Sequence, residues 1–180
     1  MFDTLFSDGS LRKYLEENLE DPWVNTPFQG YVFLSPKQKG EFGERFVSKF
    51  FQEGLLSEVK RSPSGTAGHD RVIDGFRTEI KFSLAIRDPK TKKVLDDKFI
   101  MNHVSKSKDW ERLVFCGVNP DPDGLRLFWF TKEDFTEFVN SEKCCFSKQQ
   151  GGKSADNDDY MCSNVAKLME MPFVRQVTEW

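Results

Sequence analysis

Asp70, Glu79 and Lys81 are the residues of this sequence whose types and spacing could do chemistry. Two carboxylates brought together can hold a hard divalent cation such as Mg²⁺, which binds one or two acidic side chains and keeps waters as its other ligands. An ammonium two positions from the second carboxylate could orient or polarise an attacking water, or stabilise charge developing on a phosphate. The alternative is a solvated cluster in which Lys81 simply neutralises the acidic pair.

A hairpin must position these groups. Asp70-Arg71-Val72-Ile73 and Phe76-Arg77-Thr78-Glu79-Ile80-Lys81-Phe82 flank Asp74-Gly75, a strong signal for a two-residue turn between strands. Counting outward pairs Ile73 with Phe76, Val72 with Arg77, Arg71 with Thr78 and Asp70 with Glu79. Alternation then sends Ile73, Phe76, Ile80 and Phe82 to one face and Asp70, Glu79 and Lys81 to the other. Facing carboxylates on a ladder repel by some tenths of a kcal/mol to about 1 kcal/mol, and a bound cation would offset that. Asp74 is better explained by turn chemistry than by metal binding.

Asp70, with Glu79 and Lys81 nine and eleven positions later on a hairpin that follows a helix and precedes further strands, resembles the signature of the PD-(D/E)XK nuclease superfamily. Many type II restriction enzymes and Holliday-junction resolvases belong to it. The resemblance spans about residues 39–139, its specific part is the hairpin, and His69 stands where the pattern often has proline. It implies a Mg²⁺-dependent endonuclease, with Mn²⁺ able to substitute, that hydrolyses phosphodiester bonds in double-stranded DNA in the manner of a type II restriction enzyme. Asp70 and Glu79 would hold the metal and Lys81 would assist the water that displaces the 3′-oxygen and leaves a 5′-phosphate. Cutting both strands of a symmetric sequence needs two active sites, so a homodimer is expected.

The resemblance also implies an acidic residue from the preceding helix, and Gly40-Glu41-Phe42-Gly43-Glu44 offers two. At about 100° per residue, Glu44 borders the apolar face of Phe42, Phe46, Val47, Phe50 and Phe51, whereas Glu41 points away. Glu44 is therefore the fourth catalytic candidate, assisting the metal or Lys81. Two other readings stay open: a structure-specific nuclease acting on junctions or repair intermediates, and a catalytically inactive nuclease-fold module that binds DNA or serves as an accessory.

Further candidates are less specific. His69 points away from Asp70 by alternation, which suits a loop or packing role as well as proton transfer. Asn102 and His103, within Phe99–Val104, are candidate substrate contacts. Gln149-Gln150-Gly151-Gly152-Lys153-Ser154 ends like a phosphate-binding loop, but Ser147 occupies the position of the required earlier glycine and no strand leads in. Gln150 and Lys153 remain candidate contacts to DNA bases and phosphates.

The surrounding elements follow from patterning. A helix is expected over residues 10–21 and a second from Pro36 to about Glu53, stopped by Gly54. Strands are expected at Lys98–Val104, Arg112–Val118 and Leu125–Phe130, then a helix capped by Thr131 with Glu133 and Asp134 in its first turn. Ser147–Asp159 reads as a polar loop and Val165–Met171 as a last helical or mixed stretch. This order predicts an α/β (α+β) fold, a central mixed sheet flanked by helices, in one domain over residues 1–180. Its core covers about residues 39–139, with the N-terminal helix and a C-terminal extension, residues 140–180, packed on it.

Composition sets the outer bounds. Eighteen Phe and four Trp point to aromatic surface as the source of burial. A net charge of −3 argues against a generic nucleic-acid coat, although pairs such as Lys60/Arg61 and Lys106/Lys108 leave room for a basic cleft on an acidic body. Cys116, Cys144, Cys145, Cys162 and the two His lack the spacing of a zinc site or disulfide framework, so reduced thiols are expected. Without a signal peptide or an apolar run of bilayer length, a cytoplasmic protein with no membrane partner is expected.

Overall fold

A computed structural model describes residues 21–64, 67–88, 90–91, 93–120, 124–149 and 158–180. The helix expected over residues 10–21 lies outside them apart from Asp21, as do Gln150 and Lys153. The chain divides into two compact units, residues 1–39 and 40–180.

In the first unit the Asp21 carboxylate ties a turn-rich segment together. Its Oδ1 accepts the Trp23 N–H at 2.9 Å and its Oδ2 the Gly30 N–H at 2.6 Å. The Trp23 ring packs edge-on to Phe28, and a 3₁₀ turn follows at Tyr31–Phe33. Ser35 and Gln38 then cap each other's backbone N–H groups, which starts helix α1 (Pro36–Lys49) at a proline whose missing N–H is not needed there.

In the second unit α1 runs on into a π-helical turn, Phe50–Gly54, that buries Phe51. The body of this unit is a six-stranded mixed sheet built from β1 (Val59–Arg61), β2 (Arg71–Ile73), β3 (Phe76–Leu84), β5 (Arg112–Val118), β6 (Leu125–Thr131) and β9 (Arg175–Gln176). The strands stand side by side in that same order. Strands β3 and β5 pair in parallel and the other neighbours antiparallel, which is the mixed α/β sheet expected. Leu113, Val114, Phe115 and Cys116 are fully buried on both faces of β5, and the consecutive Phe128, Trp129 and Phe130 of β6 are buried likewise.

Helix α1 packs on β3 through Phe42 and Phe46, whose rings meet Phe82 edge-on at 5.6 Å. Gly43 permits this approach, because a Cβ built there would lie 2.3 Å from Phe82 Cβ. Gly43→Ala is therefore expected to lower stability by about 1–3 kcal/mol, the usual range for overpacking. At Gly40 a Cβ meets nothing within 4 Å. Gly40→Ala should instead raise stability by up to about 1 kcal/mol through helix propensity. Urea unfolding of the two variants checks both signs.

Helix α2 (Lys132–Phe138) begins as expected, with Thr131 and Asp134 in a reciprocal capping box. Strands β4 (Met101–Ser105), β7 (Phe146–Lys148) and β8 (Asp159–Cys162) form a second sheet, in the order β4-β8-β7. The segment expected to be a loop over 147–159 thus begins and ends in strand. Its ends are strands because Phe146, Tyr160 and Cys162 bury alternate side chains, a pattern the polar residues between them conceal. Helix α3 (Val165–Met169) buries Val165 and Leu168. Among the described residues no helix is long and apolar enough to cross a membrane, and all four cysteines are free thiols.

Candidate active site

The hairpin turn places Asp74 at φ 49° and Gly75 at φ 86°, the doubly left-handed pattern of a two-residue turn. Asp74 also anchors the turn: its Oδ1 accepts the Glu58 N–H and its Oδ2 the Trp180 indole N–H. The register is Ile73 with Phe76, Val72 with Arg77 and Arg71 with Thr78. The fourth pair, Asp70 with Glu79, does not form. Asp70 instead donates its N–H to the Thr78 carbonyl, the residue already facing Arg71, at 3.0 Å. Its Oδ2 accepts the Ile80 N–H at 2.8 Å, so the carboxylate is held against the β3 backbone one step past the end of the ladder.

Glu79 and Lys81 follow on β3 just past the end of the β2 ladder, paired on the other side with Leu113 and Phe115 of β5. The Glu79 side chain is only 3% exposed, and its Oε1 accepts from Lys81 Nζ at 2.8 Å and from Lys108 Nζ at 3.4 Å. Two ammonium groups on one carboxylate oxygen offset the desolvation that so deep a carboxylate suffers. Lys108 is fixed from behind. Lys132 Nζ donates to its carbonyl at 2.5 Å, and His69 Nδ1 lies 3.0 Å from the next carbonyl, that of Asp109. Gly68, at φ 76°, presses its backbone against Asp109, where a Cβ would lie 2.6 Å from the amide nitrogen. His69 thus ties the loop before Asp70 to the segment that carries Lys108.

Glu44 reaches the same cluster from α1. Its Oε2 pairs with Arg71 Nη1 at 2.9 Å, while the Arg71 Nε donates to Ser48 Oγ and its Nη1 also donates to the Asp70 carbonyl at 2.7 Å. One guanidinium therefore links the helix carboxylate to the backbone of Asp70. Glu41, by contrast, is exposed and paired with Arg45, as the helical wheel expects.

Burial pushes the Asp70 carboxyl up to about 6, and repulsion from Glu79 and then Glu44 adds to the rise, against the Ile80 N–H and Lys81. Asp70 and Glu79 are the donor set that could take a metal. Among the described residues no group of three His, Cys, Asp or Glu side chains could hold a metal ion. A hard cation that keeps most of its waters fits two carboxylates, and positive charge there would offset both the burial and the Glu79 repulsion that raise the Asp70 carboxyl.

The remaining candidates sit apart. His103, on β4 at a break in its pairing with β8, has φ 56° and pairs through Nδ1 with Asp159 Oδ2 at 2.7 Å. Its N–H donates to Gln149, and it makes no hydrogen bond or ion pair with Asp70, Glu79 or Lys81. Asn102 is exposed beside it. Arg71 and Lys108 belong to the cluster although spacing alone does not single them out. The one available signal is that Glu44 and Ser48 lie one helical turn apart, as a pair gripping a common partner would.

No protein-family model and no curated protein matches the sequence. Among solved structures, the chain is similar to the bacterial homing endonuclease I-Ssp6803I, at 13% identity and a TM-score of 0.41. The match covers 67% of this chain and 86% of that one.

Proposed function

We propose that the protein is a Mg²⁺-dependent endonuclease of the PD-(D/E)XK type that hydrolyses phosphodiester bonds in double-stranded DNA. The observation that carries this reading is the buried Glu79 carboxylate with Lys81 Nζ 2.8 Å away, beside an Asp70 carboxyl raised by burial and by Glu79. Asp70 and Glu79 would hold the cation, which when bound supplies positive charge against the scissile phosphate. Lys81 donates a hydrogen bond to the attacking water or to a phosphate oxygen. The water oxygen bonds to phosphorus as the bond to the 3′-oxygen breaks, and that oxygen leaves protonated as a 3′-hydroxyl beside a 5′-phosphate end. Glu44 acts through Arg71 as a positioning residue for Asp70. Restriction-like cutting of both strands is assigned to a homodimer with two such sites.

End-labelled linear duplex and four-way junction, incubated with the protein in Mg²⁺ and in Mn²⁺, test this reading. Cutting of linear duplex to 5′-phosphate ends that ligase rejoins is the expected result. Cutting of the junction alone would replace it with a structure-specific nuclease, and DNA binding without cleavage in either metal would replace it with an inactive binding module.

A further inference from the structure

A groove of about 340 Å³ between the end of α1 and β1 concentrates positive charge in a protein whose net charge is negative. Among the described residues, Arg45, Lys49, Lys60, Arg61 and Arg71 line it, with Glu53 as the one lining carboxylate and no aromatic side chain. Arg61 lies directly across the β1–β2 ladder from Arg71, and like charges so placed destabilise a sheet unless an anion sits between or beside them. Arg71 has Glu44, but Arg61 forms no ion pair among the described residues. The partners of the others are exposed: Arg45 with Glu41, Lys49 with Glu53 at 3.7 Å and Lys60 with Glu58 at 2.9 Å. Exposed pairs of this kind hold by about 0–1 kcal/mol and readily exchange for a phosphate.

Arg71 lines the groove and is itself largely buried, pairing with Glu44 and donating through Nη1 to the Asp70 carbonyl, so one guanidinium joins the groove to the carboxylate cluster. From this geometry we infer that the groove binds the phosphodiester backbone of the DNA strand on one side of the scissile phosphate, with Lys60 and Arg61 from β1 and Arg45 and Lys49 from α1 as the phosphate-binding cations. This rests on the nuclease reading above and adds to it where the substrate runs. Long cationic side chains without aromatic platforms suit phosphate binding rather than base stacking, so the groove supplies affinity without sequence preference.

Fluorescence anisotropy of a labelled random-sequence duplex, in EDTA and between about 50 and 200 mM NaCl, measures the predicted effect directly. Neutralising one phosphate-binding cation should reduce the slope of log affinity against log salt by about 0.9, so Lys60→Gln/Arg61→Gln should flatten it by about 2 and weaken binding about tenfold or more. Lys49→Gln/Lys60→Gln, which changes only exposed side chains, should do the same, while Lys143→Gln elsewhere on the surface should leave the slope unchanged. If wild-type protein binds duplex and both double variants keep its slope, the groove is not the path of the backbone, and the nuclease reading stands. If wild-type protein neither binds nor cleaves duplex at about 50 mM NaCl, both fall together.

Discussion

Lys81→Ala is expected to lower the single-turnover rate of duplex cleavage by about 10²–10³-fold or more, the loss that follows removal of one preorganised donor to a developing oxyanion. The protein should remain folded, because Glu79 keeps Lys108 as a second ammonium partner at 3.4 Å. Lys81→Arg should restore little, since a planar guanidinium cannot put its charge where the compact ammonium sits 2.8 Å from Glu79. A Lys81→Ala enzyme within tenfold of wild type would mean that the reacting atoms lie elsewhere.

Asp70→Asn should produce two large effects of opposite sign. Cleavage should be lost with the carboxylate proposed to hold the metal, yet the metal-free protein should become more stable. A carboxyl at about 6 in the folded state, against an ordinary value of 3.8, means that the native protein binds more protons than the unfolded chain between those values. Stability from this group therefore falls as pH rises through that window, and above about pH 6 the penalty is fully present, on the order of 3 kcal/mol. Asparagine keeps the oxygen that accepts the Ile80 N–H and removes the charge. Asp70→Asn should gain about 1–3 kcal/mol at about pH 8 in EDTA, and the gain should vanish near pH 4. Mg²⁺ should raise the melting temperature of the wild-type protein and leave Asp70→Asn unmoved. Wild-type cleavage should also decline as pH falls through about 6 at low Mg²⁺, as Asp70 takes up its proton. Thermal melts across pH with and without Mg²⁺ decide the matter; a destabilised Asp70→Asn in EDTA would contradict the burial and repulsion on which the proposed cation site rests.

Much of this arrangement is legible before folding because local chemistry dictates it. Asp74-Gly75 sets the hairpin register as far as Arg71 and Thr78, Thr131 and Asp134 cap α2, and the wheel separates Glu44 from Glu41. What escapes is set by contacts distant in sequence. Symmetric counting puts Asp70 opposite Glu79, but the Asp70 N–H bonds to the Thr78 carbonyl, and the side chain turns to the Ile80 N–H. Lys108 lies 29 residues from Glu79 and is aimed by His69, Gly68 and Lys132, none of which advertises the role in its own segment. Strand β1 has three residues, two of them charged, and draws its pairing from β2 rather than from its own pattern.

Supercoiled plasmid incubated with purified protein in Mg²⁺ and in EDTA, with Asp70→Asn and Lys81→Ala alongside, is the most direct test of Asp70, Glu79 and Lys81 as a hydrolytic centre. Conversion to nicked and linear DNA in Mg²⁺, abolished by EDTA and by either substitution, is the predicted result. Cleavage that survives both substitutions, or a wild-type protein that leaves the plasmid intact in every divalent metal, would contradict it.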